Sequence, residues 1–144
     1  MIQVHGTCVE LAGWGVLLRG APGSGKSDLA LRLIDGGARL VADDRVDLRL
    51  AAGGVVASAP APIAGRLEVR GLGILEFPAI TEAELRLIVD LAAPDEVERL
   101  PEPLSASLLG RDLACLRLAP FEASATAKVR LAVRALSRTI MKPT

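Results

Sequence analysis

Along most of this chain apolar residues recur in short runs, and only two stretches carry the longer period of a helix. Residues 3–10 (QVHGTCVE) read as one strand, AGWG (12–15) as a turn and GVLLRG (15–20) as a second strand, so the opening predicts a hairpin. Over 26–35 the period lengthens. Leu29, Ala30, Leu33 and Ile34 fall on one helical face, and Gly36-Gly37 ends the helix. RLVAD (39–43) reads as a short strand ending in acid. VDLRLAA and VVASAP flank Gly53-Gly54, a two-residue hairpin signal.

Pro60 and Pro62 mark a loop. GRLEVRGLGILEF (65–77) is extended but broken by Gly71 and Gly73. LRLIVDLA (85–92) fits either helix or strand by pattern, and its close bracketing by Pro78 and Pro94 favours strand. Residues 94–104 read as a Pro- and Glu-rich loop and LACLRLA (113–119) as a strand. Residues 122–140 read as a closing helix with Val129, Ala132, Val133, Leu136 and Ile140 on one face. Arg130, Arg134 and Arg138 recur every four residues on that helix. They form either a solvated face or a docking surface for an acidic partner or neighbouring subunit.

The 144 residues suffice for one domain with a real core. Only 2% are aromatic, which argues against base stacking as a driving force. Lys plus Arg and Asp plus Glu both number 17, so the formal charge of zero argues against a dedicated nucleic-acid binder. Cys8 and Cys115 lie in apolar strand-like runs and read as small buried hydrophobes rather than a disulfide framework. There is no signal-peptide pattern and no apolar stretch long enough for a bilayer. The expectation is a cytoplasmic protein with neither a membrane nor a nucleic acid as partner.

The chemistry starts between the second strand and the first helix. Gly20, Ala21, Pro22, Gly23, Ser24, Gly25, Lys26 and Ser27 fit G-x-x-x-x-G-K-[ST]. Small residues there let successive N–H groups converge on phosphate oxygens, and the helix adds its positive end. Lys26 then neutralises β and γ phosphates, and Ser27 offers a hydroxyl to Mg²⁺. Downstream, Asp43 and Asp44 end a strand where acid side chains can reach a bound phosphate. Alternation puts the two on opposite faces and in different roles. A polar strand end at the surface is the alternative. In EVRGLG, Glu68 and Arg70 share a face if extended. They could hold a metal and a phosphate, or form a weak cross-strand ion pair. His5, the single histidine, sits on an apolar strand, where histidine is more often structural.

Together these pieces resemble the catalytic domain of the HPr kinase/phosphorylase family. The resemblance rests on Val4-His5-Gly6, the P-loop, LVADDRVDL and LEVRGLGIL, in the family's order, and covers roughly residues 3–118. It implies an ATP-dependent protein-serine kinase acting on the phosphocarrier HPr, with Mg²⁺ held by Ser27 and Glu68. It implies Lys26 on the phosphates, Asp44 as the base, His5 assisting, and Arg99 stabilising the transferring group. The Arg99 match is the loosest, with LP where the family has leucine-glycine. The implied fold is α/β, a P-loop domain of the phosphoenolpyruvate-carboxykinase-like type, with a mixed, mostly antiparallel sheet and few helices. It would form a single catalytic domain over residues 1–144. The family is commonly hexameric and carries a separate N-terminal domain, whereas this sequence starts at the catalytic one.

The family's proline-rich loop for phosphate removal corresponds to SLLGRDLA. Gly110 and Arg111 remain, the proline is missing, and Asp112 replaces asparagine. A carboxylate facing an incoming inorganic phosphate would repel it, so the expectation is transfer to HPr with weak phosphate removal. Two other readings stand beside this one: a nucleotide-sensing module that binds without transfer, and a P-loop kinase of small metabolites.

Overall fold

The structure, a computed structural model, describes residues 1–141, with side chains through Leu136. The opening elements are β1 (Ile2–His5), β2 (Thr7–Leu11), β3 (Trp14–Arg19), α1 (Lys26–Asp35), β4 (Arg39–Ala42), β5 (Arg45–Ala51) and β6 (Gly54–Ser58). β7 (Arg66–Val69), β8 (Gly73–Glu76), β9 (Glu82–Leu91), β10 (Leu104–Leu108), β11 (Arg111–Leu118) and α2 (Ala125–Met141) complete them. Nine strands form one sheet in the order β1-β5-β6-β9-β3-β2-β4, with β11 also beside β9 and β10 beside β11; β7 and β8 pair separately. Only β3–β9 and β9–β11 are parallel; the other seven pairs are antiparallel. This is the mixed, mostly antiparallel α/β sheet expected, with two helices.

The single strand expected over 3–10 is two strands, and Gly6 is the reason. A Cβ there would stand 2.8 Å from the Leu18 carbonyl oxygen. Its N–H leaves the ladder for the Asp44 carbonyl at 3.1 Å. The chain thereby changes partners, from β1 on β5 to β2 between β3 and β4. Three hairpins close through two-residue turns with both residues at positive φ: Ala12-Gly13 (53°, 89°), Ala52-Gly53 (51°, 83°) and Leu109-Gly110 (51°, 76°). Such mirror-image turns match strand twist. The second hairpin is therefore shifted by one residue from Gly53-Gly54, and Gly54 opens β6. The third turns SLLGRDLA from a loop into the β10–β11 hairpin.

The ambiguous segment 85–92 lies inside β9, the strand on which the sheet is centred. The register with β3 slips between Gly15 and Val16, so Gly15 faces Leu85 and Val16 faces Leu87. That slip breaks simple alternation. Leu87 and Val89 join the core under the helices, with Val16, Leu18, Leu29, Leu33 and Val129. Leu85 and Ile88 join the core on the other face, with Leu17, Val46, Leu48 and Ala57. A strand buried on both faces reads as a continuous apolar run.

α1 ends as its sequence requires. Gly37 takes φ 113°, and the Ala38 N–H reaches back to the Leu33 carbonyl at 3.0 Å. Arg130 of α2 lies over Gly36 and donates to the Leu33 carbonyl at 3.2 Å, a cation at the negative end of α1. Arg130 thus serves the fold and Arg134 is exposed, while the Arg138 and Ile140 side chains lie outside those described. No helix among the described residues is long and apolar enough to cross a membrane.

Cys8 is fully buried, which pushes its thiol up to about 12. Cys115 differs from expectation: half-buried, it donates to Asp90 at 3.2 Å. Burial and that contact push its thiol up to about 11. Asp90 also receives two hydrogen bonds from Arg19, at 2.7 and 2.9 Å. Burial raises the Asp90 carboxyl, but the hydrogen bonds from Arg19 and Cys115 and the charges of Arg19 and Arg117 outweigh it, leaving the group below its ordinary range. A carboxylate lowered in the fold stabilises it above the unfolded pKa and loses that effect as pH falls through the folded one. The stability gap between wild type and Asp90→Asn, followed by urea unfolding, should be widest at neutral pH. It should close as pH falls below about 4, the ordinary aspartate value. A gap constant across that range would contradict the assignment.

Candidate functional site

β3, β9 and β11 run parallel, so their carboxyl ends share one edge of the sheet. β4, antiparallel to β2, ends at the same edge. The candidate site is assembled there. β3 delivers the chain into residues 20–25, where Gly23 and Gly25 take φ 80° and 104°. Gly25 is the N-cap of α1 without a side-chain cap, so the first-turn N–H groups lack intrahelical acceptors. Gly25 also has no room for a Cβ, which would stand 2.8 Å from the Phe121 ring. Lys26 Nζ donates to the loop's own carbonyls, Gly20 at 2.7 Å and Ala21 at 3.1 Å.

Asp43 joins this loop to the rest of the site. Its Oδ1 accepts from Ser27 Oγ at 3.0 Å and from the fully buried Thr7 at 2.8 Å. Its Oδ2 lies 3.5 Å from the Glu68 backbone N–H. The expectation that alternation separates Asp43 from Asp44 fails, because β4 ends at Ala42 and neither aspartate is in a regular strand. Asp44 takes φ 70°, and both residues line one cleft. Asp44 is largely exposed and lies 3.8 Å from the Arg45 guanidinium.

The opposite wall is the β7–β8 hairpin. Leu67 and Val69 bury against Leu40 and pack with Leu31 and Phe77, which holds the hairpin to α1. Alternation then exposes Arg66 and Glu68, and both line the cleft with Arg70. The open cleft between these walls has a volume of about 1200 Å³.

The structure therefore brings together the P-loop residues Gly23, Gly25, Lys26 and Ser27 with Asp43, Asp44, Glu68 and Arg70. It does not bring in all the residues named from sequence. His5 is exposed at the end of β1, opposite Arg45, and is not a lining residue. Arg99 lies in the exposed segment after β9, away from the cleft lining. Asp112 is exposed on β11, opposite Ser107, and Arg111 is beside it; neither lines the cleft, so the proposed repulsion of phosphate has no support in this geometry. Sequence reasoning missed Thr7, Arg66 and Phe121. The hydroxyl type of Thr7, next to Gly6, was the one available signal for the first; nothing local marks the others.

Oxygen donors from Ser27, Asp43 and Glu68 suit a hard cation that keeps water or phosphate ligands. The serine hydroxyl donates its hydrogen bond to Asp43, which leaves its lone pairs for a cation.

A family model for the HPr serine kinase C-terminal domain matches residues 1–110. The HPr kinase/phosphorylase of Bordetella pertussis is 43% identical over 119 residues, covering 74% of this chain and 39% of that protein. That of Clostridium tetani is 47% identical over 78 residues, covering 54% of this chain and 26% of that protein. The chain thus spans well under half the length of these relatives. The solved structure of the Hpr(Ser) kinase/phosphatase from Coxiella burnetii superposes with a TM-score of 0.80 at 25% identity, covering 98% of this chain and 91% of that one.

The Asp43 contacts generate a stability test. Asp43→Ala leaves the buried Thr7 hydroxyl unpaired, which should cost about 1–3 kcal/mol in urea unfolding. Adding Thr7→Val removes the orphaned group and should recover part of that loss. A double variant no more stable than Asp43→Ala would contradict the pairing.

Proposed function

The chain belongs to the HPr serine kinase C-terminal domain family, and from that premise we propose that it transfers the terminal phosphate of ATP to a serine of HPr with Mg²⁺. The observation that carries this reading is the Ser27–Asp43 hydrogen bond. It ties the phosphate loop to an acidic strand end inside one cleft. The N–H groups of the loop and of the first turn of α1 bind the phosphates. Lys26 exchanges its carbonyl partners for β and γ oxygens. Ser27 and Glu68 would hold the cation, with Asp43 orienting Ser27. Mg²⁺ there would supply charge neutralisation to the phosphates. Asp44, at the exposed rim, takes the proton of the attacking serine hydroxyl. Arg66 and Arg70 on the far wall add positive charge where the phosphoryl group passes. His5 is adjacent to Gly6, whose N–H is bonded to the Asp44 carbonyl, but its side chain stands outside the cleft lining and would have to turn toward Asp44 to assist from the neighbouring strand. Arg99 would have to reach the site through movement of its segment. The cytoplasm, where nucleotide and phosphocarrier meet, is the compartment this activity requires.

The test is transfer of label from γ-labelled ATP to purified HPr with Mg²⁺, alongside nucleotide binding. Lys26→Ala should weaken triphosphate binding sharply and eliminate transfer; wild-type transfer by this variant would defeat the proposal. Asp44→Asn should bind ATP normally and lose about a hundred- to ten-thousand-fold in rate. Asp43→Asn should instead weaken Mg²⁺-dependent nucleotide binding, because its amide oxygen still accepts from Ser27 but the carboxylate charge beside the cation position is lost. A near-normal rate for Asp44→Asn would remove it as the base.

A further inference from the structure

A second cavity of about 490 Å³ opens on the other side of the phosphate loop. Ala21 and Ser24 of the loop form one part of its wall, Leu91 to Pro94 another, and Ala119 to Glu122 a third. These are the segments that leave the carboxyl ends of β3, β9 and β11, the edge where ligands collect in open sheets with parallel strands. The lining is largely apolar. Its one aromatic is Phe121, 71% exposed although it is one of only two phenylalanines in the chain. A Cβ on Gly25 would stand 2.8 Å from the rim of this ring, and the residue lines both cavities, so it stands on the border that they share. Its position is set: Arg32 of α1 donates to the Pro120 carbonyl while also pairing with Asp28 at 3.0 Å. The buried Ser24 hydroxyl, beside the same cavity, has no hydrogen-bond partner among the described residues.

An exposed aromatic face costs little to cover with another ring, and a base–aromatic stack is tolerant of which base is offered. The phosphate loop fixes where a nucleotide's charged end lies, and this cavity adjoins it. We propose that the slot between Phe121 and the Leu91–Pro94 segment holds the purine base of the nucleoside triphosphate, with Phe121 as its stacking platform. This rests on the nucleotide reading above and adds the base site to it. Phe121 lies beyond residues 1–110, the part matched by the family model, so the platform belongs to the carboxyl-terminal segment of this chain. The low aromatic content seen in the sequence does not exclude stacking, because the one ring needed stands at the phosphate loop.

Calorimetric titration with Mg–ATP and with Mg–tripolyphosphate, which carries the same phosphates and no base, separates the slot from the loop. Phe121→Ala should weaken ATP binding about tenfold and leave tripolyphosphate binding unchanged, while Phe121→Trp should retain ATP affinity. Equal losses for both ligands would mean that the ring only props the loop, and undiminished ATP binding would mean that the base lies elsewhere; either result overturns the inference. Wild-type protein that binds neither ligand would defeat the nucleotide reading itself, and the slot with it.

Discussion

Asp43 is the constraint on which the rest of the site depends. One carboxylate receives the hydroxyl of the first α1 turn and the hydroxyl of buried Thr7, and sits against the backbone of the β7–β8 hairpin. Three separate pieces of chain are thereby set around a single point. The serine hydroxyl is the part that matters most. Once its proton is committed to Asp43, its oxygen can face a cation without competing for that proton. A loop without this tie would still present its N–H groups to an anion, but the Ser27 side chain would be free to rotate away.

The sheet explains why so many functional segments converge. β9 is flanked by parallel β3 and β11 over its second half, so three chain ends leave the same edge. The bidentate Arg19–Asp90 pair links the last residue of β3 to β9 immediately before the loop begins. α1 is pinned from outside by Arg130 at its carboxyl end and by its own Arg32 on the Pro120 carbonyl. The phosphate loop is thus held at its entry by one ion pair and at its exit by a helix that two arginines hold in place.

Much of this was legible in the chain because it is local. The P-loop, the bounds of α1 and the Gly36-Gly37 stop each follow from a few neighbouring residues. What was not legible is set by distant contacts. Gly6 splits a strand because Leu18 passes beneath it, and a register slip hides the period of β9. The separation of Asp43 from Asp44 onto opposite faces assumed strand alternation, yet β4 stops one residue too soon for that rule to apply. Asp112 shows the same limit from the other side: its charge was visible in the sequence, but only the β10–β11 hairpin decides that it stands away from the cleft. Phe121 carries no motif at all, and its significance comes from a contact with Gly25 across 96 positions of sequence (121 less 25).

The most direct measurement is a crystal structure of the chain with Mg²⁺ and a non-hydrolysable ATP analogue. The account predicts triphosphate oxygens on the loop N–H groups and Mg²⁺ on Ser27 Oγ, with the Ser27–Asp43 hydrogen bond kept. A triphosphate bound outside the loop, or a cation that leaves Ser27 untouched and draws Asp43 away from it, would contradict the account.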